Sequence, residues 1–391
     1  MEYRLEEIFD LQMGKTPARN NAQYWNTEEN KWISIADLSK CGKYIENTKE
    51  YLSDLAVEES GISQIPENTV VMSFKLSIGK TAITPEPMYS NEAIMSFRDK
   101  KVIELIPDYV YYMFSGKDWD EGTNKAVMGK TLNKATLSKI KVDIPDVDTQ
   151  KCAVKILDKV SCVIADRKAE LEKLDKLIKA RFVEMFGDPE INNKGFVKAP
   201  MGEYLTVLTD FSSNGSYKTL DSGVTMYDEP NFAWMVRTTD LESGDMSSIK
   251  YIDEGAYELL AKSKIFGGEI IMNKIGSAGK VYLMPKVDMP ASLGRNAFMF
   301  RYDERINVIF MYHLLTSEYG KGEIQQYVRG AVTKTITKDD SRAIMIIAPP
   351  IKLQEQFANF VTQVDKLKVA VQKALDETQL LFDSLMQKYF G

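Results

Sequence analysis

Two stretches of the chain share one hydrophobic rhythm. Beyond Gln150 and beyond Gln354, Pro and Gly vanish and apolar residues recur at alternating steps of four and three. In the first stretch they are Ala153, Leu157, Val160, Ile164, Leu171, Leu174, Ile178 and Met185, interrupted by Arg167 and Arg181. In the second they are Phe357, Val361, Val364, Val371, Leu375, Phe382, Leu385 and Tyr389, interrupted by Lys368 and Thr378. This is the seam of helices that pack knobs into holes, and Glu170, Glu172, Lys173, Asp175 and Lys176 dress the outer face of the first. More than four heptad-like turns is long for a helix lying on its own domain, so the pattern predicts a coiled-coil pair.

The segments before each helix read differently. Short β-branched and aromatic runs, such as Val70 to Ser73 and Glu269 to Met272, alternate with turn residues and short helical stretches such as Tyr109 to Met113. They predict α+β domains. Pro, Gly and Asn crowd together over Gly187 to Gly195, where the heptads stop, which marks a linker. The expected organisation is a globular domain over 1–149, a helix over 150–187, a second globular domain over 188–352 and a second helix over 353–391.

The two halves repeat one another. Val70 to Lys80 aligns without gaps on Ile270 to Lys280, an offset of 200 (272 minus 72). Upstream, Lys31-Trp32-Ile33 resembles Ala233-Trp234-Met235, and downstream Asn91 to Met95 is echoed by Asn296 to Met299. Ile144-Pro145 with Gln150 matches Ala348-Pro349 with Gln354, and Met185-Phe186-Gly187 matches Tyr389-Phe390-Gly391, at an offset of 204 (354 minus 150). Collinear matches of this kind imply a duplicated unit that includes both helices.

Composition narrows the class. The 391 residues exceed what one hydrophobic core usually organises, and 44% hydrophobic with 27% charged residues reads as globular. No apolar run approaches the ~20 residues that cross a bilayer, so a cytoplasmic, membrane-free protein is expected. Cys41, Cys152 and Cys162 lack metal-type spacing and are read as reduced thiols. The sole histidine, His313, sits in an apolar helical pattern and is read as packed, so neither a zinc site nor a nucleophile with its base is expected.

Gly14-Lys15-Thr16, Gly79-Lys80-Thr81 and Gly129-Lys130-Thr131 invite comparison with phosphate loops. The glycine required five positions earlier is replaced by Phe9, Phe74 and Asn124, so ATP binding is not expected. Asp188-Pro189-Glu190-Ile191 lacks the second proline and the aromatic of amino-methyltransferase motifs, and no compact nuclease carboxylate pattern occurs. The formal net charge of -6 weighs against nucleic-acid binding. Basic residues nevertheless collect locally, as at Lys125, Lys130, Lys134, Lys139 and Lys141, a run that a solvated face also explains.

Gly14-Lys15-Thr16-Pro17 followed by Tyr24-Trp25 and Trp32-Ile33 is similar to the opening of many target-recognition domains. Together with Val236 to Leu241, Asn273 to Lys280, Arg329 to Lys338 and the Gly187-Asp188-Pro189 helix exit, these residues make the chain resemble the specificity subunits of type I restriction-modification systems, over essentially its full length. The second half departs from the pattern, with Phe211 to Ser216 in place of the Gly-x-Thr-Pro opening, so the two domains are expected to read different sequences. The resemblance implies an α+β fold of two target-recognition domains, each followed by a long helix, the helices pairing as an antiparallel coiled coil with approximate two-fold, circular-repeat symmetry. It implies a non-catalytic subunit that binds a bipartite double-stranded DNA site. Two methyltransferase subunits and restriction or motor subunits are the implied partners, and these would carry the methyl donor, ATP and Mg while this chain holds no cofactor. Independently, a helix of ~35 residues spans roughly 50 Å, comparable with the ~34 Å of one DNA turn, and suits two linked readers of separated half-sites.

Candidate DNA contacts flank the repeated glycine-lysine loop: Lys75, Ser77 and Lys80 in the first reader, Asn273, Lys274, Ser277 and Lys280 in the second. Lys and Arg hold phosphates or read guanine, whereas Asn suits adenine. Lys130, Asn133, Lys134, Arg295, Asn296, Arg329, Lys334 and Thr335 are secondary candidates. A tight turn at Gly79 and Gly279 with solvated lysines beyond it explains the loop equally well. Two other readings stay open: a specificity subunit of a type II-like restriction and methylation complex, and a coiled-coil protein-protein adaptor.

Overall fold

The computed structural model describes residues 1–25, 27–75, 77–119 and 132–391. The chain folds as two compact units, Met1–Ala169 together with Gln372–Gly391, and Glu170–Val371.

The first unit opens with β1 (Glu2–Arg4) and β2 (Phe9–Met13), followed by β3 (Asn30–Ile33), β4 (Glu50–Leu52), β5 (Val70–Ser73), β6 (Thr81–Ile83), β7 (Tyr89–Ser90) and β8 (Ile94–Asp99). β2, β8, β5 and β6 form an antiparallel sheet in that order, and β4, β3 and β7 form a second sheet whose β3–β7 pair is parallel. A helix over Pro107–Gly116 follows, and β9 (Lys141–Asp143) then pairs with β1, tying the two ends of the reader together.

The second unit repeats this plan with β10 (Val197–Pro200), β11 (Leu205–Asp210), β12 (Ala233–Val236), β13 (Lys250–Ile252), β14 (Lys264–Ile265), β15 (Ile270–Asn273), β16 (Val281–Leu283), β17 (Ala291–Leu293), β18 (Ala297–Tyr302) and β19 (Met345–Ala348). Its sheets run β11-β18-β15-β16 and β13-β12-β17-β14, and β19 closes on β10. The registers correspond: Met72 faces Met95 in the first unit and Met272 faces Phe298 in the second. All four residues of β5, and all four of β15, are buried, because each strand lies mid-sheet with both faces covered.

Long helices span Val147–Phe186 and Ile351–Phe390, beginning slightly before the positions that periodicity suggests. Each contributes to both units. Within the second unit they run antiparallel: Phe182 and Phe186 meet Phe357 at ring distances of 5.4 and 5.5 Å, Arg181 lies over Phe360, and Asp175 pairs with Lys368 at 2.7 Å. Phe310, on the helix Val308–Thr316, stacks on Phe182 and meets Phe186 edge-on. Within the first unit, Ala153 and Leu157 are buried, and Tyr109 and Tyr112 of the reader helix contact Phe390 and Phe382.

The repeated Pro-x4-Gln has a structural explanation. Gln150 is fully buried, accepts from the Ile106 amide at 3.0 Å and donates to the carbonyls of Glu104 and Pro145. Gln354 does the same with the Asn307 amide and the carbonyls of Arg305 and Pro349. Each glutamine thus satisfies backbone groups at the start of the reader helix and the start of its long helix at once.

Candidate nucleic-acid interface

In both readers the glycine-lysine segment is the hairpin turn between a central strand, β5 or β15, and the edge strand beside it, β6 or β16. The amide of Ser73 donates to the Lys80 carbonyl and that of Gly79 to the Ser73 carbonyl, and Asn273, Lys280 and Gly279 repeat both bonds. Gly79 and Gly279 each sit at φ +86, which side chains rarely adopt. A Cβ at Gly79 would also stand 2.9 Å from the Trp119 ring, and one at Gly279 would overlap the Ile324 side chain. The glycines therefore serve the turn and its packing, while the residues around them reach the surface.

In the first reader Ser77 and Lys80 are exposed and Lys75 is half-buried, its ammonium 5.2 Å from the Phe74 ring. The Leu132 amide donates to the Phe74 carbonyl, which brings Asn133 and Lys134 beside Lys75. Asn133 caps the short helix Lys134–Leu137, and Lys134 is exposed. Lys130 lies outside the described residues. The opening motif has its own structure: the Lys15 carbonyl accepts from the Trp32 indole, Trp25 packs edge-on to Trp32, and Arg19 lies 3.8 Å from the Trp25 ring centre.

The second reader gathers more of its candidates. Lys274 donates its amide to the Asn296 carbonyl and accepts from the Ile336 amide, Gly276 donates to the Lys334 carbonyl, and Arg329 and Thr335 exchange backbone bonds. Loops around 274–277, 294–296 and 329–336 thereby form one surface, with Ser277, Arg295, Asn296, Arg329, Lys334 and Thr335 exposed. Arg295 pairs with Asp221 and lies over Phe211, Arg329 pairs with Asp340, and Lys280 pairs with Glu242. Asn273 departs from its expected place among the surface readers. As the last residue of buried β15 it is 6% exposed, with its amide nitrogen 3.5 Å from the Tyr282 hydroxyl.

Sequence reasoning missed Asp210 and Lys338. Asp210 is buried and accepts from Lys274 at 2.7 Å, Lys338 at 2.8 Å, Ser212 at 2.6 Å and Ser213 at 2.7 Å. Burial alone would raise its pKa, but the hydrogen bonds from Lys274, Lys338, Ser212 and Ser213 outweigh that and hold the carboxyl well below the usual range. The available signal was the repeat itself, since a charged pair, Asp210 and Lys274, stands where the other copy has Met13 and Phe74. Among the described residues, no group of His, Cys, Asp and Glu is arranged to hold a metal ion, and no helix is long and apolar enough to cross a membrane.

Two α+β readers built on corresponding sheets, with polar hairpin loops at their surfaces and a long helix after each, define a duplicated recognition protein. A family model described as the type I restriction modification DNA specificity domain matches residues 1–175 and again 193–378, and the chain belongs to that family. It is 23% identical over 98% of its length to the type I restriction enzyme MjaIX specificity subunit of Methanocaldococcus jannaschii, covering 91% of that protein. It is 25% identical over 40% of its length to the EcoR124I/EcoR124II specificity subunit of Escherichia coli, covering 39% of that protein. Among solved structures, the S subunit of a type I restriction-modification system from M. genitalium aligns over 100% of this chain and 96% of its own, at a TM-score of 0.57 and 12% identity. A second structure, from work on assembly and conformational transition of the type I system, aligns over 100% and 97% at a TM-score of 0.62 and 15% identity.

Proposed function

We propose that each reader binds one half of a bipartite site in double-stranded DNA, and that the chain directs two methyltransferase subunits and their restriction partners to it without catalysing a reaction itself. The observation that carries this reading is the duplication: one family domain present twice, each copy exposing the same hairpin loop. Differences at Phe211 to Ser216 and at the Asp210 cluster support different half-sites. Reaction chemistry, with its methyl donor, ATP and Mg, belongs to the partners in this reading.

The long helices support a partner present in two copies. Val163 and Leu177 of the first are 41% and 48% exposed, and their counterparts 204 positions on, Leu367 and Leu381 (367 minus 163, 381 minus 177), are 56% and 52% exposed. A large apolar side chain left in water at equivalent places on both helices suits two equivalent docking sites.

Binding by the assembled methyltransferase tests the DNA reading. Lys280→Ala should weaken binding and flatten the dependence of log affinity on log salt by about one unit, the contribution of one phosphate contact. An unchanged salt dependence removes Lys280 from the interface.

A further inference from the structure

We propose that Asp210 is a specificity-determining positioning residue of the second reader, clamping Lys274, Lys338 and the turn after β11 into one rigid corner of net charge +1. The inference rests on the reading that the loops around 274–277, 294–296 and 329–338 face DNA.

The clamp joins elements distant in sequence. Asp210 ends β11, Lys274 follows β15, and Lys338 begins the helix Lys338–Ala343, where it also donates to Ser213 at 2.6 Å. Lys274 is bound through its backbone to both neighbouring loops, so fixing its side chain fixes the corner. Arg295, over Phe211 and paired with Asp221, borders the same corner.

Stability does not require this arrangement. The first reader has the same strands with Met13 and buried Phe74 in the corresponding places, and its counterpart of Lys338, Lys134, is exposed and has no ion-pair partner among the described residues. A buried ion pair is generally no more stabilising than apolar packing of similar volume. What the carboxylate adds is geometry. A lysine free to swing attracts any phosphate, whereas an ammonium held in place favours the duplex whose groups meet it. The two readers therefore differ in how much of their binding is salt-dependent and unselective.

The test uses the assembled methyltransferase, a duplex carrying the host's methylated sequence, and duplexes with each half-site scrambled in turn. Asp210→Asn leaves two unneutralised lysines, so the salt slope should steepen by about one unit and discrimination at one half-site should fall at least tenfold. Lys338→Met removes one cation while keeping the Lys274–Asp210 pair, so the slope should flatten by about one unit. It also keeps the test alive should Asp210→Asn fail to fold. Lost affinity at unchanged slope in Lys338→Met, or wild-type slope and discrimination in both variants, would overturn the clamp. A wild-type assembly that distinguishes neither scrambled duplex would instead overturn the reading of these loops as DNA-facing, and the clamp with it.

Discussion

His313 shows how the helix pair constrains a single residue. Its ring meets Phe357 edge-on at 5.3 Å, and burial, reinforced by the charge of Lys368, lowers its pKa from 6.5 to about 4. The unfolded chain therefore takes up this proton first as pH falls. Stability from the neutral histidine is complete above about pH 6.5 and is lost progressively towards pH 4, at most about 3 kcal/mol. Urea unfolding at pH 7 and pH 4.5 should show the wild type losing about 2 kcal/mol more than His313→Leu, and parallel losses would contradict the burial argument. That His313 is packed was legible from its apolar neighbours. The roles of Asp210 and Lys338 were not, because an ion pair joining β11 to a helix far along the chain leaves no local pattern.

At the scale of elements, the heptads marked both long helices and nearly all of their extent. They did not mark which residues face inward at the end of the first helix. Phe182 and Phe186 are buried there, while Arg181 and Met185, on the strict heptad positions, are half-buried. A helix of 3.6 residues per turn drifts from a 3.5-residue repeat, and the phenylalanine cluster around Phe310 and Phe357 favours the drifted face. The Pro-x4-Gln repeat was visible as a match but had no meaning until its three hydrogen bonds were seen. Gln150→Ala or Gln354→Ala should each cost about 3 kcal/mol, since a buried amide and two carbonyls lose their partner. A change in urea midpoint no larger than that of an exposed Gln→Ala substitution would show that water replaces the side chain without penalty.

Across the whole molecule, duplication was the most legible property, because collinear matches survive where individual residues diverge. The strand order of each unit was not legible. β3 pairs in parallel with β7, and β12 with β17, across intervening segments whose length carries no pairing signal. The exposed apolar positions on the helices make the quaternary prediction: under the proposed function, with two methyltransferase subunits docked per chain, Leu177→Lys or Leu381→Lys alone should reduce the number bound from two to one, and together should abolish binding. Native mass spectrometry of the co-expressed subunits reads this directly, and full occupancy in the double variant would place the docking surface elsewhere.

The central claim is that one chain supplies two different half-site readings to its partners. Mapping methylated bases across the host genome, with and without this chain, tests it most directly. Loss of the chain should remove methylation from one bipartite sequence, two unlike half-sites at a fixed spacing with one methylated base in each. Methylation unchanged by its loss, or confined to a single continuous sequence, would contradict it.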